Sequence, residues 1–179
     1  LSEYVSRMKP DQKYIYYATG ETTDKIDRLP QTEGLKDEGY EILYLTDDID
    51  EFAIQMLHSF DEKEFKSAQA DDVDINETEE EKAKTEKQAE EKKDMLAAMK
   101  EALGDKVTEV KLSSRLKNHP VCITSKGGLS VEMARVLSQM PTDENIEAEK
   151  VLEINVNHPI VETLGKVYAE DKDKIGKYA

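Results

Sequence analysis

The distribution of hydrophobic positions in the first part of the chain predicts a small layer of strands and helices. Short runs rich in β-branched and aromatic residues at 13–19 and 41–46 indicate two strands. The segment between them is long enough for a helical crossover, so we expect the strands to be parallel. A helix should follow at 49–60, with Asp47 or Asp48 as its N-cap. Its apolar side consists of Phe52, Ala53, Met56, Leu57 and Phe60.

Charge dominates the middle of the chain. Residues 71–94 carry eleven acidic residues and five lysines, with few large apolar side chains. A segment of this composition cannot bury a face of its own, so it forms a linker or a solvent-exposed helix. Thr78 followed by Glu81 is a capping-box pattern, and Gly104 stands where a helix would end. We therefore expect a helix over 78–103, free at its start and docked at its end through Met95, Leu96, Met99 and Leu103.

The last part of the chain mixes strand and helix patterns. Its predicted elements are strands at 106–112 and 121–124 around a turn at 117–120, an amphipathic helix at 129–140, a half-buried strand at 152–156, and a last helix opened by Asn157 and Pro159. The fold class is therefore α/β followed by α+β. The predicted units are a small α/β layer at 1–70, an acidic linker with the start of a connecting charged helix at 71–94, and an α+β domain at 95–179.

Composition and charge restrict the partners and the location of the protein. Forty acidic residues against 25 basic ones give a net charge of −15, which disfavours nucleic acid and anionic membranes as partners. No apolar run approaches the ~20 residues of a transmembrane helix, and no signal peptide is evident. Cys122 is the single cysteine and cannot form an internal disulfide, so a reducing compartment is the simplest location. Its apolar neighbours indicate a buried thiol. We expect a cytoplasmic protein, and a start at Leu1 inside a helical pattern suggests a piece of a longer chain.

A cluster of carboxylates follows the second predicted strand. Asp48 and Asp50 lie where open α/β sheets place ligand sites, and clustered oxygens suit a hard cation such as Mg²⁺. One hypothesis is therefore a magnesium-dependent phosphoryl-transfer domain that uses these two carboxylates. The interpretation we favour is structural, because acidic residues cap helices and stabilise the positive end of the helix dipole.

The helix predicted at 129–140 carries an apolar stripe with helical spacing. Its members are Leu129, Met133, Val136, Leu137 and Met140. Such a stripe is normally part of a hydrophobic core. Methionine is flexible and polarizable, however, and is frequent on surfaces that accept many partners. The pattern alone leaves both interpretations open.

Several stretches together resemble one chaperone family. They include Gln12-Lys-Tyr-Ile-Tyr-Tyr-Ala18, Gly39-Tyr-Glu-Ile-Leu-Tyr-Leu-Thr-Asp-Asp-Ile-Asp-Glu51, Leu152-Glu-Ile-Asn155 and Asn157-His-Pro-Ile160. These segments are similar to the ninety-kilodalton heat-shock chaperones in their bacterial HtpG form, and the similarity keeps their order along the chain. The resemblance implies the small α/β part of the family's middle domain, a connecting helix, and a C-terminal domain truncated before its dimerisation helices.

The resemblance also implies roles for individual residues. The family binds client proteins through an acidic-aromatic pair, which falls here on Glu51 and Phe52. It also uses an amphipathic helix whose apolar positions fall on the 129–140 stripe. We therefore expect client binding by Glu51, Phe52, Leu129, Met133, Val136, Leu137 and Met140, with the stripe partly exposed to unfolded or partly folded proteins.

Nucleotide chemistry is expected outside this sequence. In the family, the ATP-binding domain and an arginine that assists hydrolysis precede the region matched here. We therefore expect no cofactor and no enzymatic activity in this piece, with ATP and Mg²⁺ used by a full-length, homodimeric parent. The predicted function is client binding and coupling of nucleotide-driven motion in other domains of the same chain to the dimer region. A purely structural spacer is the remaining alternative.

Overall fold

The computed structural model of the chain describes residues 1–73, 75, 78–140 and 146–178; Asp74, Asn76 and Glu77 of the predicted linker lie outside the described residues. The helices are α1 (Ser2–Arg7), α2 (Thr23–Asp27), α3 (Glu33–Asp37), α4 (Asp50–Leu57), α5 (Glu79–Glu91), α6 (Lys93–Leu103), α7 (Val131–Ser138) and α8 (Ile160–Glu170), with 3₁₀ helices at Pro30–Thr32, Gly104–Lys106 and Lys172–Lys177. The strands are β1 (Ile15–Thr19), β2 (Ile42–Leu45), β3 (Ser59–Phe60), β4 (Lys63–Ser67), β5 (Glu109–Ser113), β6 (Val121–Lys126) and β7 (Glu149–Asn155). Within this part of the chain, no helix has the length and apolar character that crossing a membrane requires.

The first sheet has the strand order β2-β1-β4-β3. β1 runs parallel to β2 and to β4, and all five of its residues are buried. Ile26 of α2 and Leu35 of α3 pack against Tyr16 and Ala18 in one core, so the crossover between β1 and β2 covers this sheet. The predicted parallel pair with a helical crossover is confirmed.

A hairpin that the sequence pattern does not reveal follows α4. The helix predicted to reach residue 60 ends at Leu57, because Ser59 and Phe60 form β3 and pair antiparallel with β4. Asp61 and Glu62 form the turn with φ values of 50° and 62°. Positive φ at both central positions defines a type I′ turn, for which Asn-Gly is the usual sequence. A strand of two residues is too short for its alternation to be recognised in the sequence.

The charged middle segment forms two consecutive helices. The predicted capping box is present at the start of α5, where Thr78 Oγ1 accepts the Glu81 N–H at 3.2 Å and the Glu81 carboxylate accepts the Thr78 N–H at 2.9 Å. α5 buries none of its residues, whereas α6 buries Met95, Leu96 and Met99. α6 ends at Gly104, which has a φ of 58°. The expected change from exposed to docked helix is confirmed, and a break at Lys92 separates the two parts.

The second sheet has the strand order β5-β7-β6. The strands predicted around the turn at 117–120 exist, but β7 lies between them, parallel to β5 and antiparallel to β6. Helices α6 and α8 pack on this sheet through a core that includes Met95, Met99, Leu112, Ile154, Val161, Leu164 and Ile175. Because β7 is central, the half-buried alternation predicted for 152–156 is wrong: Glu153, Ile154 and Asn155 are 0% exposed.

Arg115 joins the two sheets from a buried position. Its guanidinium donates hydrogen bonds to the carbonyl oxygens of Ala70 at 2.7 Å, Gln31 at 3.3 Å and Ala68. The same group lies 3.5 Å from Glu153 on β7. The residues after β4 also lie along β6, where the Asp71 N–H donates to the Ser125 carbonyl oxygen at 2.9 Å. The end of the first sheet is therefore fixed to the edge of the second.

Glu33 makes a second connection between the two parts. Its carboxylate accepts the backbone N–H groups of Lys117 at 3.0 Å and Asn118 at 3.1 Å, and it lies 2.8 Å from the His119 ring. Partial burial acts to raise the pKa of Glu33, but these hydrogen bonds outweigh it and hold the pKa at about 2. The turn at 117–120 is thus an anion-binding turn that is occupied by a side chain of α3.

The Arg115 connection predicts a large loss of stability on its removal. Arg115→Met leaves the buried Glu153 carboxylate without its guanidinium partner, so we expect the free energy of unfolding to fall by about 3 to 5 kcal/mol. Urea unfolding followed by circular dichroism measures this change. In the single variant, Lys111 at 3.6 Å is the remaining cation beside the Glu153 carboxylate. The double variant Arg115→Met, Glu153→Gln removes this buried charge and should recover part of the loss. A loss below about 1 kcal/mol in the single variant would contradict the assignment.

The positive φ values in the β3–β4 turn indicate where a glycine should stabilise the fold. Glycine adopts the left-handed conformation without the Cβ clash that Glu62 experiences, so Glu62→Gly should raise the free energy of unfolding by about 0.5 to 1 kcal/mol. Thermal unfolding measures the gain, and Glu64→Gly, in the extended β4, is the matched control that should destabilise. Destabilisation by both substitutions would refute the turn assignment.

Candidate functional site

The strongest concentration of unusual side chains lies where α4 meets α7. Glu51 of α4 is 4% exposed, although it is a carboxylate. It accepts hydrogen bonds from the Ser130 hydroxyl at 2.5 Å and from the Tyr17 hydroxyl at 3.4 Å. Ser130 is also the N-cap of α7, where its Oγ accepts the Met133 N–H at 3.0 Å. One carboxylate therefore connects β1, α4 and the start of α7.

Burial controls the protonation of this carboxylate. Desolvation raises the pKa of Glu51 above its usual value, and the hydrogen bonds from Ser130 and Tyr17 oppose the rise. Burial, together with the nearby Glu51 charge, also raises the pKa of Tyr17. In the described part of the chain no Lys or Arg forms an ion pair with Glu51. Its partners are neutral hydroxyl groups, which suit a structural carboxyl group that holds two elements together.

Two further contacts fix α4 to the segment that leads into α7. The Gln55 amide donates to the Gly128 carbonyl oxygen at 2.8 Å and lies 3.0 Å from the Met133 sulfur. Arg135 pairs with Asp48 and with Glu132, both at 2.7 Å. A cavity of about 350 Å³ lies beside these contacts and is lined by residues that include Tyr17, Glu51, Gln55, Phe65, Ser67 and Ser130. We call the whole region the α4–α7 junction.

The residues predicted to bind clients are distributed over this junction at different depths. Glu51 and Met133 are brought together at its buried centre, at 4% and 6% exposure. Met140 is 48% exposed, just after the end of α7. The remaining members are half-buried: Phe52, Leu129, Val136 and Leu137. The stripe is thus divided into an inner part that packs on α4 and an outer part that reaches the surface, and its client binding remains a prediction.

Helix α4 presents its apolar side to solvent. An apolar side normally faces the core of a protein. Here Met56 is 83% exposed and Leu57 is 54% exposed, while Glu51 and Ile54 are buried. Ile49, the residue before the helix, is 69% exposed. The hydrogen bonds of Glu51 and Gln55 select this orientation, because they can form only when the polar side faces α7.

The carboxylates at the start of α4 have structural partners. Ile49 is the N-cap residue and no side chain caps the helix, so the predicted capping by Asp47 or Asp48 is wrong. Asp48 pairs with Arg135 instead, and the Asp50 carboxylate accepts the Asp47 N–H at 3.3 Å. Among the described residues, no group of His, Cys, Asp and Glu side chains could hold a metal ion. The magnesium hypothesis is not favoured.

Other candidate groups have ordinary environments. Cys122 is 6% exposed on β6, and burial raises the pKa of its thiol to about 12, so the predicted buried thiol is confirmed.

The sequence analysis did not identify Tyr17, Ser130 and Arg135 as residues that hold the α4–α7 junction together. Ser130 had a usable signal, since serine three residues before Met133 at the start of an apolar periodic segment is a typical N-cap.

The buried carboxylate predicts a pH-dependent effect of Glu51→Gln. Because the pKa of Glu51 is higher in the folded than in the unfolded protein, ionisation destabilises the fold as the pH rises above the unfolded value of 4.5. The glutamine variant lacks this penalty, so its stability relative to the parent should improve between pH 4.5 and pH 7. Urea unfolding at the two pH values measures the difference. Glu64→Gln corrects for the loss of one exposed charge, and an equal pH response in both variants would contradict the burial argument.

Comparison with known proteins identifies the family. A model of the Hsp90 protein family matches residues 1–178. The chain is 56% identical over 179 residues to the chaperone protein HtpG of Clostridium acetobutylicum, 53% identical over 178 residues to that of Clostridium perfringens, and 51% identical over 178 residues to that of Bacillus subtilis. These matches cover 99% to 100% of the chain, which spans 28% of the length of each relative. The resemblance found in the sequence is therefore confirmed, and the chain belongs to the Hsp90 family.

Proposed function

We propose that the chain is the client-contacting part of an ATP-dependent molecular chaperone. The observation that carries this proposal is the α4–α7 junction, in which two helices are locked together while apolar side chains of both reach the surface. Its relatives are chaperones by name. The client surface comprises Phe52 and the outer part of the stripe, formed by Leu129, Val136, Leu137 and Met140.

The partial exposure of these side chains suits reversible capture. Fully burying one side chain of this size contributes about 1.5 to 3 kcal/mol before the cost of ordering the partner. Half-buried residues contribute less each, because part of their surface is already covered. Several weak apolar contacts thus give tolerant, short-lived binding, and the flexible Met140 can adapt to different clients.

Glu51 and Met133 have a supporting role in this proposal. Both are buried in the free chain, so neither offers much surface to a client. They position the outer residues instead, since the Glu51–Ser130 hydrogen bond fixes the start of α7. The client-binding set predicted from the sequence therefore separates into residues that touch the client and residues that hold the surface in place.

The connections between the sheets support a second part of the proposal. Arg115 and Glu33 join the first unit to the second through buried or multiply hydrogen-bonded contacts. A displacement of one unit would have to break these contacts or carry the other unit along. The parent chaperone, as a cytoplasmic homodimer that uses ATP and Mg²⁺ elsewhere in its chain, would transmit nucleotide-driven motion through this junction.

A structural spacer is the second candidate. The observation that favours it is the 6% exposure of Met133, which makes the inner part of the stripe a core contact. Under this alternative the half-buried residues of α7 would be covered by other parts of the parent. The following experiment separates the two functions.

Client capture predicts that the chain suppresses aggregation of a heat-denatured model protein in a light-scattering assay without nucleotide. The variant Phe52→Ala, Leu137→Ser, Met140→Ser should lose at least about half of this activity, because three surface contacts are removed. Circular dichroism should show that the variant remains folded. Val121→Ser, on β6 and 37% exposed, is the matched control and should behave like the parent.

Two outcomes would refute client capture at this surface. Equal suppression by the parent and the triple variant would show that binding occurs elsewhere. Absence of suppression by the parent would favour the spacer.

A further inference from the structure

The outward side of α4 is an unpartnered apolar surface. Ile49, Ala53 and Met56 recur at i, i+4 and i+7, with Leu57 beside them, so they form one helical face. Met56 and Ile49 are the two most exposed large apolar side chains of the described residues, at 83% and 69%. We call this face the outer α4 surface. It lies on the opposite side of the helix from Glu51 and Gln55, and so is separate from the contacts with α7.

This orientation leaves apolar surface exposed that hydrophobic burial would normally remove. Apolar side chains of this size are normally turned inward, and a contiguous exposed group is typical of interaction surfaces. The polar side is held inward by specific partners: Glu51 by Ser130 and Tyr17, and Gln55 by the Gly128 carbonyl oxygen. The protein thus buries a carboxylate and exposes Met56, an arrangement that leaves the apolar face available to a partner.

Negative charge borders both ends of the outer α4 surface. Asp47 precedes the helix, and Asp61, Glu62 and Glu64 follow it in the β3–β4 hairpin. All four are exposed, and in the described part of the chain none forms an ion pair. Both lysines of the hairpin are engaged elsewhere: Lys63 donates to the Gln12 carbonyl oxygen at 3.3 Å, and Lys66 pairs with Asp72 at 2.5 Å. A partner therefore meets an apolar centre between two acidic ends.

We propose that the outer α4 surface binds a polypeptide segment with apolar residues at its centre and Lys or Arg at its ends. Such a segment places its basic groups against Asp47 and against the hairpin carboxylates, and its apolar side chains against Ile49 and Met56. A second copy of this chain is excluded by charge, because either alignment of two such helices opposes acidic ends. This inference rests on the proposed client binding and specifies the chemistry of the client segment.

Fluorescence anisotropy with labelled peptides tests the proposal. The probe peptide has central Leu and Phe residues with Lys at both ends, and the matched peptide carries Glu in place of Lys. The chain should bind the Lys peptide at least about tenfold more tightly than the Glu peptide at low salt, and the difference should shrink at about 0.5 M salt. Equal affinity for the two peptides would overturn the proposed charge selection.

Matched variants locate the binding site. Ile49→Ser, Met56→Ser should weaken binding of the Lys peptide about tenfold, and serine at the N-cap position preserves the start of α4. Asp47→Asn, Glu64→Gln should weaken it about threefold at low salt only. Val121→Ser serves as the control of similar hydrophobicity and should bind like the parent. Unchanged affinity in Ile49→Ser, Met56→Ser would overturn the assignment.

The same assay separates this inference from the proposed function. In one outcome, the triple variant Phe52→Ala, Leu137→Ser, Met140→Ser loses suppression of aggregation, while the double variant Ile49→Ser, Met56→Ser binds the peptide like the parent. This outcome refutes the inference and leaves the proposed function intact. Peptide binding that depends on Ile49 and Met56, combined with absent suppression, supports the surface and refutes client capture at the outer part of the stripe.

Discussion

The structure depends on one buried ion pair, between Arg115 and Glu153. A buried ion pair is costly to desolvate and persists only when its remaining hydrogen-bonding groups are used. Arg115 meets this condition by donating to three carbonyl oxygens of the first unit. Glu153 meets it at one oxygen, because the Thr124 hydroxyl donates to Oε1 at 2.9 Å while the buried Oε2 has no hydrogen-bond partner among the described residues. Because those carbonyl oxygens include the residues just after β4, the pair fixes the position of the first sheet relative to β6. The meeting of α4 with α7 follows from this position.

The candidate site is a consequence of that placement. Glu51 faces inward on α4 only because Ser130 stands opposite it, and Ser130 stands there only because β6 is joined to the end of the first sheet. The hydrophobic side of α4 is then left in solvent. A helix that looks like an ordinary core helix in the sequence becomes an exposed apolar surface through a tertiary contact between polar residues. Polar specificity, rather than hydrophobic burial, decides the orientation of this helix.

The sequence predicts the local elements well, but it predicts the strand order of the second sheet and the orientation of α4 poorly. The capping box at Thr78 and the burial of Met95 and Met99 are local or periodic signals, and both predictions are confirmed. The insertion of β7 between β5 and β6 depends on long-range pairing, which the turn at 117–120 does not reveal. The orientation of α4 was not accessible either, because periodicity shows that a helix has an apolar side but not which side meets its neighbour. The family resemblance supplied the candidate residues, yet it could not separate the buried Glu51 and Met133 from the exposed Met140.

The net charge of −15 is distributed to favour this architecture. Repulsion among like charges opposes compact folding, so a chain this acidic needs its cations where the parts meet. Lys111 lies 3.6 Å from Glu153 and 3.8 Å from Asp71, Lys117 lies 3.5 Å from Asp37, and Arg135 pairs with Asp48. Asp37, Asp48 and Asp71 belong to the first unit or to the first residue of the linker, whereas their three cationic partners belong to the second unit. Arg135 neutralises Asp48 at the start of α4, but Asp47 there and the hairpin carboxylates at the other end form no ion pair in the described part of the chain. The charge that a partner would meet at these ends is therefore negative. The same electrostatic arrangement that joins the two sheets therefore sets the charge beside the surface that we propose for client binding.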